Sequence, residues 1–245
     1  MTTHPFDFDV VDPSWKACLS RGLSKIDPAY LQKLTHSKSW LPGPEKIFSA
    51  FSLPLNKVNY VLLGESPYPR RESANGYAFW DAAVKDLWSP TGLSKQVNRA
   101  TSFRNILKML LLAEDMLDQK QLSQEKIAQL DKQSFAQTNE EFFHNLLKRG
   151  FLLLNASLVL QESGAPQKDA RAWSPFLKEL LDCLLEQRPQ VKFILLGRIA
   201  TTIDKFISPY PQVEKLYAEH PYNCSFITNP KVLAFFKPLH LLRKG

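Results

Sequence analysis

The sequence predicts an α/β fold: a three-layer sandwich with a central, mostly parallel four-stranded sheet and helices on both faces. Three observations predict it. Short apolar runs typical of buried strands alternate with longer helical patterns, two of these runs end in glycine, and no repeat or low-complexity segment interrupts the order. Strands that alternate with helices form parallel sheets covered by helix layers. We therefore expect one domain spanning residues 1–245.

Apolar runs predict the core strands, at 58–63, 151–155 and 191–196. Gly64 and Gly197 follow the first and third runs, and Gly150 precedes the second. A fourth strand is expected either at 224–227 or in the segment just before His220. In such sheets ligands sit beyond the carboxyl ends of the strands. The candidate site loops are therefore 64–70, 155–158, 197–202 and 220–226.

Helical patterns fill the intervals, at 14–34, 102–116, 139–148 and 175–186. Asn139 is the expected cap of the third helix, because the two glutamates after it suit the positive end of the helix dipole. Ser174 and Pro175 predict the start of the fourth, as a cap followed by proline in the first helical position. The Gln- and Lys-rich segment 118–138 is expected to be exposed, as a helix or an insertion.

The charge balance is basic, with 31 Lys and Arg against 24 Asp and Glu, a net charge of +7. This is either a solubilising surface charge or the mark of a polyanion partner, because Lys and Arg release counterions from phosphates. No apolar run is long enough for a membrane span, and the acidic N-terminus does not resemble a secretory signal. We expect no membrane association and a location in the cytoplasm, or wherever the cell keeps its DNA.

The three cysteines, Cys18, Cys183 and Cys224, are far apart and share no CxxC spacing. An odd, scattered set argues against a disulfide framework and against a zinc site. We expect buried or idle thiols in a reducing compartment, no metal and no cofactor.

Four pieces of the sequence carry candidate chemistry. Three begin at the candidate loops, and the fourth is Trp173-Ser174-Pro175-Phe176, which opens a helix after a polar loop with Lys168 and Arg171. In 64–69 (GESPYP), a glycine lets the backbone approach a ligand, and two prolines hold the tyrosine ring rigidly. The same piece continues at 76–79 (GYAF). Asn155 is a lone amide at a strand end, which can read a base edge or cap a turn. His220 precedes a proline, and a single histidine is more often structural than catalytic.

These pieces occur in the order, and at roughly the spacing, of the uracil-DNA glycosylases, and the resemblance covers nearly the whole chain. GESPY at 64–68 resembles the water-activating motif Gly-Gln-Asp-Pro-Tyr, and GYAF at 76–79 the segment with the base-stacking phenylalanine. LLLNA at 152–156 resembles the uracil-reading motif, and SFRNI at 102–106 the helix start after a backbone-pinching loop. LGR at 196–198 occupies the minor-groove loop, and HP at 220–221 begins the loop with the catalytic histidine.

The resemblance implies an enzyme that flips a deaminated base out of the stack, where its glycosidic carbon is unreachable. Phe79 would stack on the base, and Asn155 would pair with its polar edge. Tyr68 would crowd the face where thymine carries its methyl group. His220 would donate to the carbonyl oxygen that gains charge as the base leaves. The residues expected to contact DNA are Ser102, Lys168, Arg171, Arg198 and Tyr222.

Departures from the family pattern concern the catalytic acid and the loop after His220. Ser66 stands where the family has its acid and carries no charge at neutral pH. We predict that its neighbour Glu65 positions the water; alternatively, Glu65 is a structural acid near Arg70 and Arg71.

Tyr222-Asn223-Cys224 replaces the small proline-rich sequence and the leucine wedge. Tyr222 or Phe226 is the candidate wedge, since aromatic side chains can enter a base step. Arg198, where the family has serine, favours a phosphate contact or a narrow groove.

The predicted function is that of a monofunctional DNA glycosylase that excises uracil from DNA, acting as a monomer without a cofactor. Two alternatives remain open. One is a weak or non-catalytic relative that binds DNA or protein, and the other is a glycosylase for a different deaminated base, such as hypoxanthine.

Overall fold

The computed structural model describes residues 6–37, 39–161 and 166–244. Its strands are β1 (Trp40–Leu41), β2 (Tyr60–Gly64), β3 (Trp88–Ser89), β4 (Gly92–Leu93), β5 (Phe151–Asn155), β6 (Leu160–Gln161), β7 (Lys192–Leu196) and β8 (Lys215–Ala218). Its α-helices are α1 (Lys16–Leu23), α2 (Pro28–His36), α3 (Lys95–Arg99), α4 (Thr101–Ala113), α5 (Gln124–Ala128), α6 (Asn139–Lys148), α7 (Pro166–Gln187), α8 (Ile199–Ile207) and α9 (Pro230–Phe236).

The central sheet has the strand order β5–β2–β7–β8. β2 runs parallel to β5, with Tyr60 opposite Phe151 and Gly64 opposite Asn155. It also runs parallel to β7, with Tyr60 opposite Lys192. All five residues of β5 are buried, as expected for a parallel strand covered on both faces. The predicted α/β fold, with a central four-stranded sheet and helices around it, is confirmed.

The fourth strand is the segment before His220, β8, and the alternative at 224–227 is wrong. That segment lies in a 3-10 helix, Cys224–Thr228, in which the N–H of Phe226 donates to the carbonyl of Asn223 at 3.2 Å. The backbone groups that a strand would pair across a sheet are therefore used within the turn.

The first predicted helix, 14–34, is two helices. α1 ends at Leu23, and α2 begins at Pro28, whose missing N–H costs nothing in the first position of a helix. The Asp27 side chain caps α2 by accepting from the N–H of Ala29 at 2.9 Å. The helix predicted at 175–186 begins earlier, so that Pro175 lies inside α7. The segment 118–138 is mostly irregular, with only the short α5.

The bounds of α6 match the prediction, but its cap is Thr138 rather than Asn139. Thr138 and Glu141 form a reciprocal capping box. Asn139 is buried and its amide donates to the carbonyl of Val84 at 3.2 Å.

The chain divides into two compact units. The first unit comprises Met1–Asp81, Gly150–Ile194 and Ile199–Lys215, and the second comprises Ala82–Arg149, Leu195–Arg198 and Leu216–Gly245. In the first, the rings of Trp15 and Phe51 lie 5.1 Å apart in an edge-on contact. In the second, the rings of Phe103 and Phe143 stack at 5.7 Å. The expectation of one domain over residues 1–245 stays a prediction.

A disulfide joins Cys18 of α1 to Cys183 of α7 in the first unit. The expectation of buried or idle thiols is therefore wrong for this pair, whose sulfurs are joined and whose Cα atoms are 5.6 Å apart across a sequence separation of 165 residues. Two cysteines so far apart in sequence give no spacing signal, because the packing of α1 on α7 brings them together. Cys224 is a free, exposed thiol.

Among the helices of the described ranges, none combines the length and the apolarity that crossing a bilayer requires. In the same ranges, no three His, Cys, Asp or Glu side chains are grouped as metal ligands would be.

Candidate active site

Asn155 lies at the carboxyl end of β5, opposite Gly64 at the end of β2. Its side chain is only 3% exposed, and it fills the space that a side chain at Gly64 would occupy. A Cβ built on Gly64 would lie 2.6 Å from Asn155 Oδ1 and 3.0 Å from the Cβ of Ala78. Glycine is therefore required beside the amide, and the amide is held in one place by packing.

The loops that leave β2 and β5 stay bonded to each other. The N–H of Ala156 donates to the carbonyl of Gly64 at 2.9 Å, and the N–H of Ser157 donates to the carbonyl of Glu65 at 3.0 Å. These bonds extend the parallel ladder past the strands and fix the backbone of Glu65 beside Asn155.

The Glu65 side chain is exposed, whereas Ser66 is partly buried. The Ser66 hydroxyl has a long contact of 3.5 Å to the carbonyl of Pro67. Arg70, the expected partner of a structural Glu65, instead pairs with Asp81 at 3.2 Å and with Glu72 at 3.8 Å. The Glu65 carboxylate lies at the loop surface, and the alternative of a structural Glu65 near Arg70 and Arg71 stays a prediction.

Tyr68 and Phe79 are linked by a hydrogen bond in which the Tyr68 hydroxyl donates to the carbonyl of Phe79 at 3.2 Å. Burial raises the pKa of Tyr68, the Asp81 charge adds to this rise, and Arg70 opposes it. The phenol therefore stays protonated and able to donate at neutral pH.

Phe79 has a φ of +64°, in the left-handed region that side chains other than glycine rarely occupy. One residue earlier, the N–H of Ala78 donates to the carbonyl of Leu153 in β5 at 3.0 Å. These contacts bring three predicted base-binding residues, Tyr68, Phe79 and Asn155, to the carboxyl ends of β2 and β5 within the first unit.

His220 belongs to the second unit and lies two residues after the end of β8. Its Nδ1 accepts the N–H of Tyr222 at 3.1 Å. Because a backbone N–H can only donate, Nδ1 must be the acceptor, so in the neutral ring the proton is on Nε2. The loop thus presents the histidine as a neutral Nε2–H donor.

Asn105 of α4 holds this loop and was missed as a site residue in the sequence. It is 1% exposed, and its Nδ2 donates to the carbonyls of Pro221 at 2.8 Å and Tyr222 at 3.4 Å. The asparagine of the SFRNI motif was the signal that could have identified it.

Two further features of the second unit shape the loop. Gly197 has a φ of +74°, and a Cβ there would lie 2.9 Å from the Cβ of His220. The Glu219 carboxylate accepts from Asn229 Nδ2 at 2.8 Å. Burial alone would raise the pKa of Glu219, but hydrogen bonds from Ser225, its own backbone and Asn229 leave the pKa below its ordinary value.

The residues expected to contact DNA differ in how exposed their side chains are. Arg198 is exposed in the second unit and Ser102 is partly buried in the first turn of α4, whereas Lys168 and Arg171 are exposed at the start of α7 in the first unit.

Tyr222 is 67% exposed. Phe226, the other candidate wedge, is 1% exposed, so it is a core residue of the second unit and that alternative is wrong. A groove of about 550 Å³ in the same unit, between Leu112, Leu117 and Leu233, contains none of the predicted site residues.

Comparison with known proteins gives consistent matches. A family model described as the Uracil DNA glycosylase superfamily matches residues 52–244. The uracil-DNA glycosylase of Aliivibrio salmonicida is 27% identical over 195 residues, which cover 76% of this chain and 73% of the relative.

The uracil-DNA glycosylase of Azobacteroides pseudotrichonymphae is 26% identical over 219 residues, which cover 86% and 84% of the two chains. The crystal structure of wild-type UNG from Nitratifractor salsuginis matches with a TM-score of 0.91 and 38% identity, over 97% of this chain and 96% of that chain.

Proposed function

Because the chain belongs to the uracil DNA glycosylase superfamily, we propose that it flips uracil out of DNA and hydrolyses the N-glycosidic bond, as a monofunctional enzyme without a cofactor. One observation carries the assignment of the base pocket. The buried amide of Asn155 stands at the end of a core strand with its space reserved by Gly64.

Base recognition falls to three residues of the first unit. The Asn155 amide offers one acceptor and one donor group, which match the N3–H and O4 of uracil. Phe79 supplies a ring face for stacking, and its backbone is held by the Tyr68 hydroxyl. The Tyr68 ring crowds the C5 position, where thymine carries a methyl group.

Leaving-group stabilisation falls to His220. As the glycosidic bond breaks, negative charge develops on the uracil O2. A neutral Nε2–H group can donate a hydrogen bond to that oxygen and so stabilise the charge. Loss of one such donor typically lowers the rate by about 10²–10³-fold. Both Asn105 and the Tyr222 N–H are positioning groups: Asn105 acts through the loop backbone, and the Tyr222 N–H bonds directly to Nδ1 of His220.

Water positioning falls to Glu65 in this proposal. Its backbone is fixed by Ser157, while Arg70 is engaged by Asp81 and so does not draw the Glu65 carboxylate away. A carboxylate can hold the attacking water and stabilise the cationic sugar. Ser66 can hold only a hydrogen bond to the same water, because its hydroxyl is neutral.

DNA binding is proposed for Arg198, Ser102, Lys168 and Arg171 through phosphates, with Tyr222 as the wedge that fills the place of the flipped base. The net charge of +7 supports a polyanion partner. We further propose that the protein acts as a monomer, without membrane association, in the cytoplasm or wherever the cell keeps its DNA.

The deciding experiment measures uracil release from single- and double-stranded oligonucleotides under single-turnover conditions. It compares wild type, Glu65→Gln, Ser66→Ala and the matched control Glu72→Gln, which removes another exposed carboxylate from the same stretch of chain. We expect Glu65→Gln to lower the rate by about 10²-fold or more, the scale of losing one charge-stabilising group. Ser66→Ala should lower the rate by less than about tenfold, the scale of one neutral hydrogen bond, and Glu72→Gln should behave as wild type.

Each other outcome has a definite meaning. Equal rates for wild type and Glu65→Gln would remove Glu65 from its role and transfer it to Ser66 if Ser66→Ala is slow. DNA binding without release of uracil by wild type would favour the non-catalytic relative. Release of hypoxanthine faster than uracil would assign the pocket to the other deaminated base.

A further inference from the structure

The buried carboxylate of Asp81 has no role in the chemistry described so far. Asp81 is 4% exposed, and its Oδ2 lies 3.2 Å from Nη2 of Arg70, whose own side chain is 58% exposed. Arg70 also heads a tight turn, because its carbonyl accepts from the N–H groups of Ser73 at 3.0 Å and Ala74 at 2.9 Å. The ion pair thus connects the turn that begins at Arg70 to the buried Asp81 carboxylate.

A second link joins the same two segments of the first unit. Two residues before Arg70, the Tyr68 hydroxyl donates to the carbonyl of Phe79, two residues before Asp81. Two contacts therefore join the loop of Tyr68 to the segment of Phe79. The second contact lies two residues after the first in both segments.

The backbone of Phe79 requires such support. A non-glycine residue in the left-handed region persists only where its surroundings hold it there, and Phe79 has a φ of +64°. Without the links, the segment would relax and the ring would leave its stacking position. An ion pair whose arginine is largely exposed adds little to the stability of a fold. The Arg70–Asp81 pair is therefore better suited to fixing geometry than to stabilising the fold as a whole.

We propose that Arg70 and Asp81 are positioning residues whose ion pair, the latch, sets how strictly the base pocket excludes pyrimidines with a substituent at C5. This inference rests on the proposed function and names a determinant of its specificity. The latch holds the Tyr68 ring at a fixed distance from the Phe79 ring, so that a methyl-sized group at C5 has no room. Neither residue touches the base.

The test compares single-turnover rates on oligonucleotides that carry either uracil or 5-bromouracil, whose bromine is similar in size to a methyl group. The variants are Arg70→Gln, Asp81→Asn, the double variant, the conservative Arg70→Lys and the control Arg71→Gln. Arg71 is an exposed arginine in the same turn that, among the described ion pairs, has no carboxylate partner. It reports the effect of removing one positive charge.

We expect each single variant to lower the uracil rate and the uracil to 5-bromouracil ratio about tenfold, the scale of one contacting pair. The double variant should be no worse than either single variant, because both break one latch. Arg70→Lys should recover much of the ratio, and Arg71→Gln should leave the ratio unchanged. Multiplying effects in the double variant, or an equal fall in Arg71→Gln, would overturn the latch.

Hydrogen exchange provides a readout that does not depend on activity. Amides of the peptide 77–83 should exchange faster in Arg70→Gln than in Arg71→Gln, whether or not uracil is released. If wild type releases no uracil but the two variants still differ in exchange, the proposed function would be refuted and the latch would be kept. Equal exchange in both variants would refute the latch. Because Arg70 is exposed, Arg70→Gln keeps the test available if Asp81→Asn does not fold.

Discussion

Gly64 and Asn155 face each other in register across β2 and β5, and the Asn155 amide occupies the space beside the glycine. A Cβ on Gly64 would lie 2.6 Å from Asn155 Oδ1, closer than carbon and oxygen can approach without movement. Two loops far apart in sequence therefore depend on each other. Glycine is needed at position 64 because a side chain there would collide with the Asn155 amide.

Gly64→Ala should displace the amide and lower uracil release without unfolding the protein. Position 64 has no left-handed φ, so the effect comes from the contact rather than from backbone strain. We expect a loss of about 10–100-fold in kcat/KM, because a displacement of about 1 Å in a positioned group can cost 10²-fold. Single-turnover rates and thermal unfolding of the same preparations check this.

A double-mutant cycle separates this mechanism from a general disturbance. If Gly64→Ala acts through the amide, then Gly64→Ala/Asn155→Ala should release uracil no more slowly than Asn155→Ala alone. A double variant that is slower by the product of both effects would contradict the assignment.

The strands and the order of the motifs were predictable because their signals are local. An apolar run with glycine beside it already contains the information for a buried strand, so β2, β5 and β7 were found within two residues of their bounds. Asn155 was identified because it ends such a strand, and Phe79 because the segment 76–79 resembles a family motif.

What remained unpredicted depends on packing between distant segments. Asp81 has an ordinary sequence context, and only the turn at Arg70 brings a guanidinium to it. Cys18 and Cys183 meet across 165 residues. Tyr222 and Phe226 are both aromatic and four residues apart, yet one is exposed and the other buried, because α4 packs against the 3-10 helix Cys224–Thr228.

Gly197→Ala should disturb His220 directly. The added Cβ would lie 2.9 Å from the Cβ of His220, so the ring must shift. We expect the rate of uracil release to fall by up to about 10²–10³-fold, the loss expected for His220→Ala, because both remove the donor to the developing charge. Single-turnover rates at saturating DNA provide the measurement.

The matched control for backbone strain at this position is Gly43→Ala. Gly43 also has a left-handed φ, +99°, but a Cβ there would meet nothing within 4 Å. Both variants should lose stability, and only Gly197→Ala should lose the chemical step. Equal rate losses in the two would show that strain, and not contact with His220, is the cause.

Arg198→Ala should weaken DNA binding through the loss of a phosphate contact. The logarithm of the association constant falls linearly with the logarithm of salt concentration, and removing one contact should reduce that slope by about 1. Fluorescence anisotropy at several salt concentrations measures it. The comparison is Lys126→Ala, which removes an exposed positive charge from α5 and should leave the slope as in wild type. An unchanged slope in Arg198→Ala would contradict the phosphate contact.

Tyr222→Ala should affect duplex DNA more than single-stranded DNA. A wedge replaces the flipped base in the stack, and a single strand has no such gap to fill. We expect the rate on duplex DNA to fall about tenfold or more, the scale of a lost base-stacking contact, with a much smaller change on single-stranded DNA. Tyr222→Phe keeps the ring and should behave as wild type. Equal losses on both substrates would mean that Tyr222 is not a wedge.

The Cys18–Cys183 disulfide should stabilise the first unit, since it ties α1 to α7 across a long stretch of chain. Cross-links of this kind typically contribute about 2–4 kcal/mol by restricting the unfolded state, which for a chain of this size shifts Tm by roughly 5–15 °C. Cys18→Ser should therefore melt earlier than oxidised wild type, and reductant should lower the Tm of wild type to that of the variant. Cys224→Ser, which removes the exposed free thiol, should melt as wild type does in both conditions.

Mass spectrometry of non-reduced peptides identifies the linked pair directly. A wild-type Tm that does not change with reductant would mean that the two sulfurs are not joined in solution.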